Sequence, residues 1–400
     1  MFVVKVKIIE SIKNIEKHEW NSIVGNDNIQ VCYDYLNAVE SSSISDYEYY
    51  YFLVYEKNEL IASLPAFITN EFCLDTPLVG TIKQKCEAVR RFLPSFLKQR
   101  VLFCGCCIAE YNTFSIKEGA NSKKVVEILL EEIEKLSKAK KTKLVIFKDF
   151  IKINSDIRKA LESSKYFGVY SLPSTFVEVG WDSFEIYLQN LKKKYRQNIR
   201  NKINQSSKSG AVEYEVLDNY DDISNELLDL YENTYLKAQV KFEKLEKDFF
   251  INLNNHMDNK TSVIVAKKDG KIIGFMLLVN SHDSCVNVRM GMDYECAHDH
   301  HLYYMLLYKN IDYAIQRNMK KLYLSQTTYR PKLELGAQLI SLMGFIKHRN
   351  PVLNKIYKFL FNKLFKKYEM LANSENPHED LKDLFPHYFN NSSGDRKISA

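Results

Sequence analysis

Along this chain the spacing of apolar and polar residues marks out the same set of elements twice. From Phe52 to Ile68, FLVYEKNELIASLPAFI runs apolar, turns on the polar Lys57-Asn58-Glu59 and runs apolar again, the pattern of a β-hairpin. From Val263 to Val279, VIVAKKDGKIIGFMLLV repeats that pattern without a gap, and its Asp269-Gly270 pair is the stronger turn signal. A second pair follows in the same order: Glu131–Lys148 against Lys309–Gln326 aligns Ile133 with Ile311, Lys143 with Lys321 and Leu144 with Leu322. Both segments read as a helix end, a basic loop and a buried strand, because the apolar spacing changes from three or four to a short continuous run. A hairpin, a helix and a further strand in each copy predict a duplicated α/β unit, an α+β mixed sheet covered by helices.

Other elements fill in around the repeats. The N-terminus MFVVKVKIIESI interleaves Lys5 and Lys7 among β-branched residues and reads as a first strand. Between the copies, LPSTFVEVGWDSF carries Pro173, a strand and a helix start capped near Asp182 or Ser183. This predicts a domain over 1–174, a second over 175–350, and a basic helix with a polar tail over 351–400, loosely ordered at its end.

Two stretches predict amphipathic helices. Phe184, Leu188, Leu191, Tyr195, Ile199 and Ile203 recur at helical spacing, and Lys192–Lys208 adds seven basic residues without an acid. Its outer face reads either as solvated surface or as a dock for an anion. From Leu353 to Leu371, LNKIYKFLFNKLFKKYEML places Leu353, Ile356, Tyr357, Leu360, Phe361, Leu364, Tyr368 and Leu371 on one stripe, with five lysines mainly off it. Packing on its own domain is the expectation, and peripheral contact with the inner membrane surface is the alternative.

The two copies differ at the end of their last strand. The first runs into Phe147-Lys148-Asp149-Phe150, whereas the second runs into Ser325-Gln326-Thr327-Thr328-Tyr329 and then Lys332. Ligands in open α/β sheets sit at the carboxyl ends of strands. The second unit is therefore expected to hold the chemistry and the first to be structural.

Composition narrows the class. Four hundred residues exceed one ordinary core, and 46% hydrophobic residues with only 13 Gly and 8 Pro predict globular domains. The longest apolar run, Val101–Ala109, has nine residues against about 20 for a membrane span, so no spanning helix is expected. Eight cysteines without a signal-peptide pattern point to free thiols and a cytoplasmic location. Neither Cys104, Cys106 and Cys107 nor His298, His300 and His301 has a second ligand pair at zinc spacing, so no metal is expected.

The segments FEIYLQNLKKKYRQNIRNK, LYENTYLKAQVKFEKLEKDFF, DGKIIGFMLLV, VRMGMDYE and SQTTYRPKLELGAQLISLMGFIKHR, in this order and spacing, resemble the GNAT superfamily of acyltransferases, specifically its duplicated, Fem-related members. The resemblance covers residues 16–349 and implies two tandem GNAT-like domains and direct transfer of an acyl group from an activated donor to an amine, without a covalent enzyme intermediate. In GNAT enzymes the thioester lies in a splayed gap of the central sheet, and its diphosphate is held by a Gly-rich loop that opens a helix. The matching loop here, Asp293–His301 (DYECAHDHH), contains no glycine. The donor implied is then an acyl-CoA held differently, an acyl-carrier-protein thioester or, as in Fem enzymes, an aminoacyl-tRNA, and no cofactor is expected to be tightly bound. The absence of sustained heptads for a coiled-coil arm ranks tRNA lower.

An attacking amine must lose a proton and the leaving group must gain one. Asp293 is the candidate base, Tyr329 the candidate acid, and Gln326 the group that orients the carbonyl or amine. Arg196, Lys332, Arg289, Thr327, Thr328 and His300 are candidate donor or substrate contacts. Each has a plain structural alternative: Asp293 capping its turn, Tyr329 packing under the helix, Gln326 satisfying a strand edge. The acceptor is a primary amine of a small molecule, peptide side chain or lipid; an acidic acyl carrier protein is a candidate partner and DNA is not. A non-catalytic GNAT-like binding protein is the remaining alternative.

Overall fold

The computed structural model describes residues 4–24, 28–76, 81–238, 241–374 and 377–384. The predicted tail from residue 385 onward lies outside the described residues. The chain begins β1 (Val4–Ile9), α1 (Lys17–Asn21), α2 (Tyr33–Ser41), β2 (Glu48–Glu56), β3 (Glu59–Cys73), α3 (Thr81–Phe92), β4 (Lys98–Cys104), β5 (Ser115–Ile116), α4 (Ser122–Ala139), β6 (Leu144–Phe150), α5 (Ser155–Ser163) and β7 (Phe167–Tyr170). It continues β8 (Ser174–Glu178), α6 (Phe184–Asn190), α7 (Lys193–Lys208), β9 (Glu213–Leu217), α8 (Ser224–Lys237), α9 (Lys247–His256), β10 (Thr261–Lys268), β11 (Lys271–Asn280), β12 (Ser284–Met292), α10 (Leu302–Gln316), β13 (Lys321–Tyr323), α11 (Tyr329–Glu334) and β14 (Gln338–Ile340). It closes with β15 (Met343–His348), α12 (Pro351–Leu364), α13 (Lys366–Ala372) and α14 (Pro377–Leu384).

Two mixed sheets result, each the centre of one compact unit. The first unit takes Met1–Leu172, Val240–Glu243 and Ser341–Asn373; the second takes Pro173–Gln239, Lys244–Ile340 and Ser374–Ala400. The chain changes unit at Pro173, beside the boundary read from sequence, and returns after Ile340. A split at residue 350 therefore does not describe β15, which inserts between β6 and β7 of the first sheet. Nor is 351–400 one appendage: α12 and α13 belong with the first unit and α14 with the second.

In the first unit the strand order is β1-β2-β3-β4-β6-β15-β7, with β5 on β3. The predicted hairpin turns at Lys57 and Asn58, both in the left-handed region, as a tight two-residue turn between twisted strands requires. β4 and β6 run parallel over four paired positions, Val101 with Leu144 to Cys104 with Phe147. Just past that pairing, Lys148 packs over Gly105, and its ammonium donates to the carbonyls of Cys106 and Ala109. Phe67 and Phe103 stack nearby with centroids 5.0 Å apart, and Phe242 meets both edge-on at 6.3 and 5.3 Å.

The C-terminal amphipathic stripe is only partly used. Tyr357 packs on His348 and Phe361 on Phe167, and Tyr368 and Leu371 are buried on α13. No residue of α12 is fully buried, and Val352, Leu353, Ile356, Phe359, Leu360 and Leu364 face solvent. The stripe therefore packs on its own unit at Tyr357, Phe361, Tyr368 and Leu371, while the remainder of α12 is exposed. No helix among the described residues is long and apolar enough to cross a membrane.

In the second unit the order is β14-β8-β13-β12-β11-β10-β9. The β10–β11 hairpin turns on Asp269 and Gly270, again both left-handed. Each copy's hairpin carries a register shift near its turn, between Val54 and Tyr55 and between Ala266 and Lys267. The predicted single helix from Phe184 is two, broken at Leu191 and Lys192, which are extended. Asn190 Nδ2 donates to the Ile186 carbonyl, and such a local bond competes with helix propagation. Ser183 is the cap, its hydroxyl accepting from the Ile186 amide.

Gly291 lets α8 lie directly on β12. A Cβ there would fall 2.5 Å from backbone atoms of Leu230 and Tyr231 and from the Phe275 ring. Because backbone cannot swing aside as a side chain can, Gly291→Ala is expected to lower unfolding stability by about 3 kcal/mol, read as a drop in the urea midpoint. A change below about 0.5 kcal/mol would contradict this packing.

Candidate functional site

β12 and β13 pair in parallel at only three positions, ending with Val286 opposite Tyr323. Beyond them β12 continues to Met292 against β11 alone, with a register shift between Leu277 and Leu278. The backbone edge of β12 that faces β13 is thus left without a strand past Asn287, among the described residues. The chain after β13 meanwhile turns into α11.

The loop making that turn is tightly held. The Ser325 hydroxyl donates to the Asn287 carbonyl at 2.7 Å, tying the two branches together where they part. The Ser325 carbonyl accepts from the Thr175 hydroxyl at 2.7 Å and from Lys332 Nζ at 3.1 Å. Lys332 also donates to the Gln326 carbonyl at 2.7 Å, and its side chain is buried. Ser325, Thr327 and Thr328 have φ of 62°, 60° and 47°. A non-glycine residue in that region costs about 1–2 kcal/mol, and surroundings that over-determine such strain are characteristic of ligand sites.

The nominated residues divide into two groups. Gln326, Thr327, Thr328, Tyr329 and Lys332 come together in this loop and the first turns of α11. Burial pushes the titration of the Tyr303 phenol upward, and the Thr328 side chain opposes that rise. Tyr329 is fully buried and donates its hydroxyl to the Pro173 carbonyl at 2.8 Å. Arg289 lies on β12 just past the fork, half-buried, with its guanidinium donating to the Val288 carbonyl at 2.6 Å. Burial raises the Tyr231 phenol and the charge of Arg289 opposes that rise.

Asp293, His300 and Arg196 make their bonds elsewhere. Asp293 Oδ1 accepts from the Glu295 amide at 3.0 Å, and Oδ2 lies 3.7 Å from Lys271 Nζ. This is the turn-capping alternative, and neither bond reaches Gln326 or Tyr329. His300 is buried with no partner for Nδ1, beside the backbone of Gly210. Burial, and then the charge of Lys268, lower its pKa, while Asp299 opposes them. Arg196 donates to the Gln189 carbonyl at 2.9 Å. Among the described residues, no group of three or more His, Cys, Asp or Glu could hold a metal ion.

Asn287 did not stand out in the sequence reading. It is buried at the fork, where its carbonyl accepts from the Ser325 hydroxyl. The available signal was an amide between Val286 and Val288, since a polar side chain inside a strand needs a partner or solvent.

Comparison with known proteins bears on this arrangement. The model of the FemAB-like family, described as peptidoglycan biosynthesis/recognition, matches residues 11–324. A putative 8-amino-7-oxononanoate synthase 2 from Mycobacterium tuberculosis is 24% identical over 329 residues; the match covers 79% of this chain and 42% of that protein's length. Among solved structures, FemX superposes with a TM-score of 0.54 at 10% identity, covering 88% of this chain and 100% of that one. A tandem GNAT protein from the clavulanic acid biosynthesis pathway gives 0.51 at 8% identity, covering 87% and 99%. The C-terminal domain of a putative lysylphosphatidylglycerol synthetase from Agrobacterium fabrum gives 0.50 at 9%, covering 88% and 98%. At such identities the structures speak for the fold alone, which is tandem GNAT-like.

Two outcomes follow from the placements. Tyr329→Phe removes one buried hydrogen bond and is expected to cost about 1 kcal/mol of unfolding stability, measured by urea titration; an unchanged midpoint would count against the Pro173 bond. His300 has a folded-state pKa below its unfolded value near 6.5, so its neutral-form stability is complete above that pH and is lost as pH falls below it. His300→Leu should therefore flatten the stability profile between about pH 7 and about pH 5, and parallel profiles in the two proteins would refute this.

Proposed function

The chain belongs to the FemAB-like family, and from that membership and the parted strands β12 and β13 we propose that the second unit transfers an acyl group from an activated donor to a primary amine. The observation that carries the reading is the fork at Asn287. Its strand edge, without a neighbouring strand past Asn287 among the described residues, and the buried residue Asn287 lie next to a strained polar loop fixed by Ser325 and Lys332. In the first unit the corresponding place past β4 is filled by Lys148 against Gly105, which supports a structural role for that copy.

In the proposed reaction the amine nitrogen attacks the donor carbonyl carbon, a tetrahedral intermediate forms, and the leaving sulfur or oxygen departs with a proton. Asn287 and Gln326 would orient the carbonyl, because amide donors aimed at the developing oxyanion favour the transition state over the ground state. The buried ammonium of Lys332 would hold the loop and add positive potential. Tyr329 gives its hydroxyl to the Pro173 carbonyl, and Asp293 has one oxygen on the Glu295 amide and the other 3.7 Å from Lys271, so proton transfer is assigned to water rather than to either of them.

The donor is open between a thioester, on CoA or a carrier protein, and an aminoacyl-tRNA. One observation favours a donor whose diphosphate does not sit at the start of α10. The preceding loop, Asp293–His301, has a side chain at every position, and His301 opens the helix in the left-handed region without a side-chain cap. A phosphate approaches a helix N-terminus best where backbone amides are unobstructed. The acceptor amine belongs to a small molecule, a peptide side chain or a lipid.

Intact-mass detection of amide product is the test, with purified protein, acyl-CoA, acyl-carrier-protein and aminoacyl-tRNA donors, and a panel of amines. One donor class should give turnover. Asn287→Leu and Gln326→Ala should each lower kcat by about a hundredfold with the unfolding midpoint nearly unchanged. Absence of transfer from every donor would sink the proposal.

A further inference from the structure

A cavity of about 820 Å³ lies within the second unit, bounded by α7, α11 and α14. Four cations line it: Lys193, Lys194, Arg330 and Lys382, against the single carboxylate of Glu334. That carboxylate is built into the wall, accepting from Asn198 Nδ2 at 2.9 Å and from Arg330 Nε at 3.2 Å. Lys193, Lys194 and Lys382 form no ion pair or hydrogen bond with any described residue, so three formal positive charges face one space without a protein counter-charge.

Arg196 donates to the Gln189 carbonyl, and Arg200 pairs with Glu185. Lys193 and Lys194, in the first turn of α7, are the two cations of this helix that line the cavity. Gln197 and Asn201, also on the lining, carry side-chain amides with no partner among the described residues, and Tyr195 and Leu333 add an aromatic and an apolar surface. A cleft lined by one sign of charge concentrates counter-ions, and pockets for small ligands run from about 300 to about 1,000 Å³. Orthophosphate would leave most of this volume empty. A nucleotide would fill it, with its phosphates on the lysines and its sugar and base on the amides and the phenol.

We infer that this cavity binds a diphosphate-bearing ligand of nucleotide size. The site is separate from the start of α10 and does not depend on acyl transfer, since binding can be measured without turnover. Its shared chemistry is the diphosphate; the source is either a free nucleotide or the nucleotide end of CoA.

The test titrates the full chain by calorimetry with ADP, UDP, CoA, inorganic pyrophosphate and orthophosphate, in the native protein and in three variants. The native protein should saturate with ADP, UDP or CoA, pyrophosphate should compete, and orthophosphate should bind more weakly. The double variant Lys193→Ala/Lys194→Ala should raise Kd by about tenfold or more, and Lys382→Ala should raise it in the same direction. Lys208→Ala, at the far end of α7, should change it by less than about twofold. CoA binding tighter than ADP would identify the donor as the source, and equal binding would identify a free nucleotide; both support the site. Failure of every probe to saturate by about 1 mM, or a loss as large in Lys208→Ala as in the double variant, overturns the inference. Because these lysines are exposed, loss of fold is not a competing explanation, and matching thermal midpoints confirm that.

Discussion

One serine holds the second unit's site in shape. Ser325 gives its hydroxyl to Asn287 on one branch of the fork and takes bonds on its carbonyl from Thr175 and Lys332 on the other. Two strands that part after three paired residues would otherwise close on each other or fray, since backbone amides at a sheet edge seek partners. Three short polar contacts substitute for the missing ladder. They also meet the cost of the left-handed residues at Ser325, Thr327 and Thr328.

The duplicated architecture was legible because it rests on periodicity. The hairpins at 52–68 and 263–279 appear where alternating runs and polar turns place them, and the polar end of β13 does become the loop of interest. Topology was less legible. The insertion of β15 between β6 and β7 pairs residues about 200 positions apart, and no local spacing encodes such a pairing. The break between α6 and α7 was hidden for a different reason: the apolar positions stay in helical register across it, while Asn190 ends the first helix through one side-chain bond.

Individual site residues were the hardest to read, because position in sequence does not reveal where a polar atom is used. Tyr329 looks like an acid on a strand end, yet it is sealed against Pro173. Asp293 looks like a base, yet it caps its own turn. Asn287 looks like one polar residue between two valines, yet it is buried at the fork and its carbonyl ties the two branches through Ser325. The basic stretch of α7 was visible as composition, but only the fold separates Arg200, which pairs with Glu185, from the lysines that line a cavity.

The half-used helix α12 has a consequence for the protein in bulk solution. Its outward row from Val352 to Leu364 remains hydrated, so the burial energy these residues could supply, about 25 cal/mol per Å², is not spent on folding. Lys355, Lys358 and Lys363 lie on the same helix, and between two molecules these like charges repel. That repulsion reaches about 10 Å at 0.1 M salt and about 3 Å at 1 M. Colloidal behaviour should accordingly turn from dispersed to sticky as ionic strength rises, with the native fold unchanged throughout.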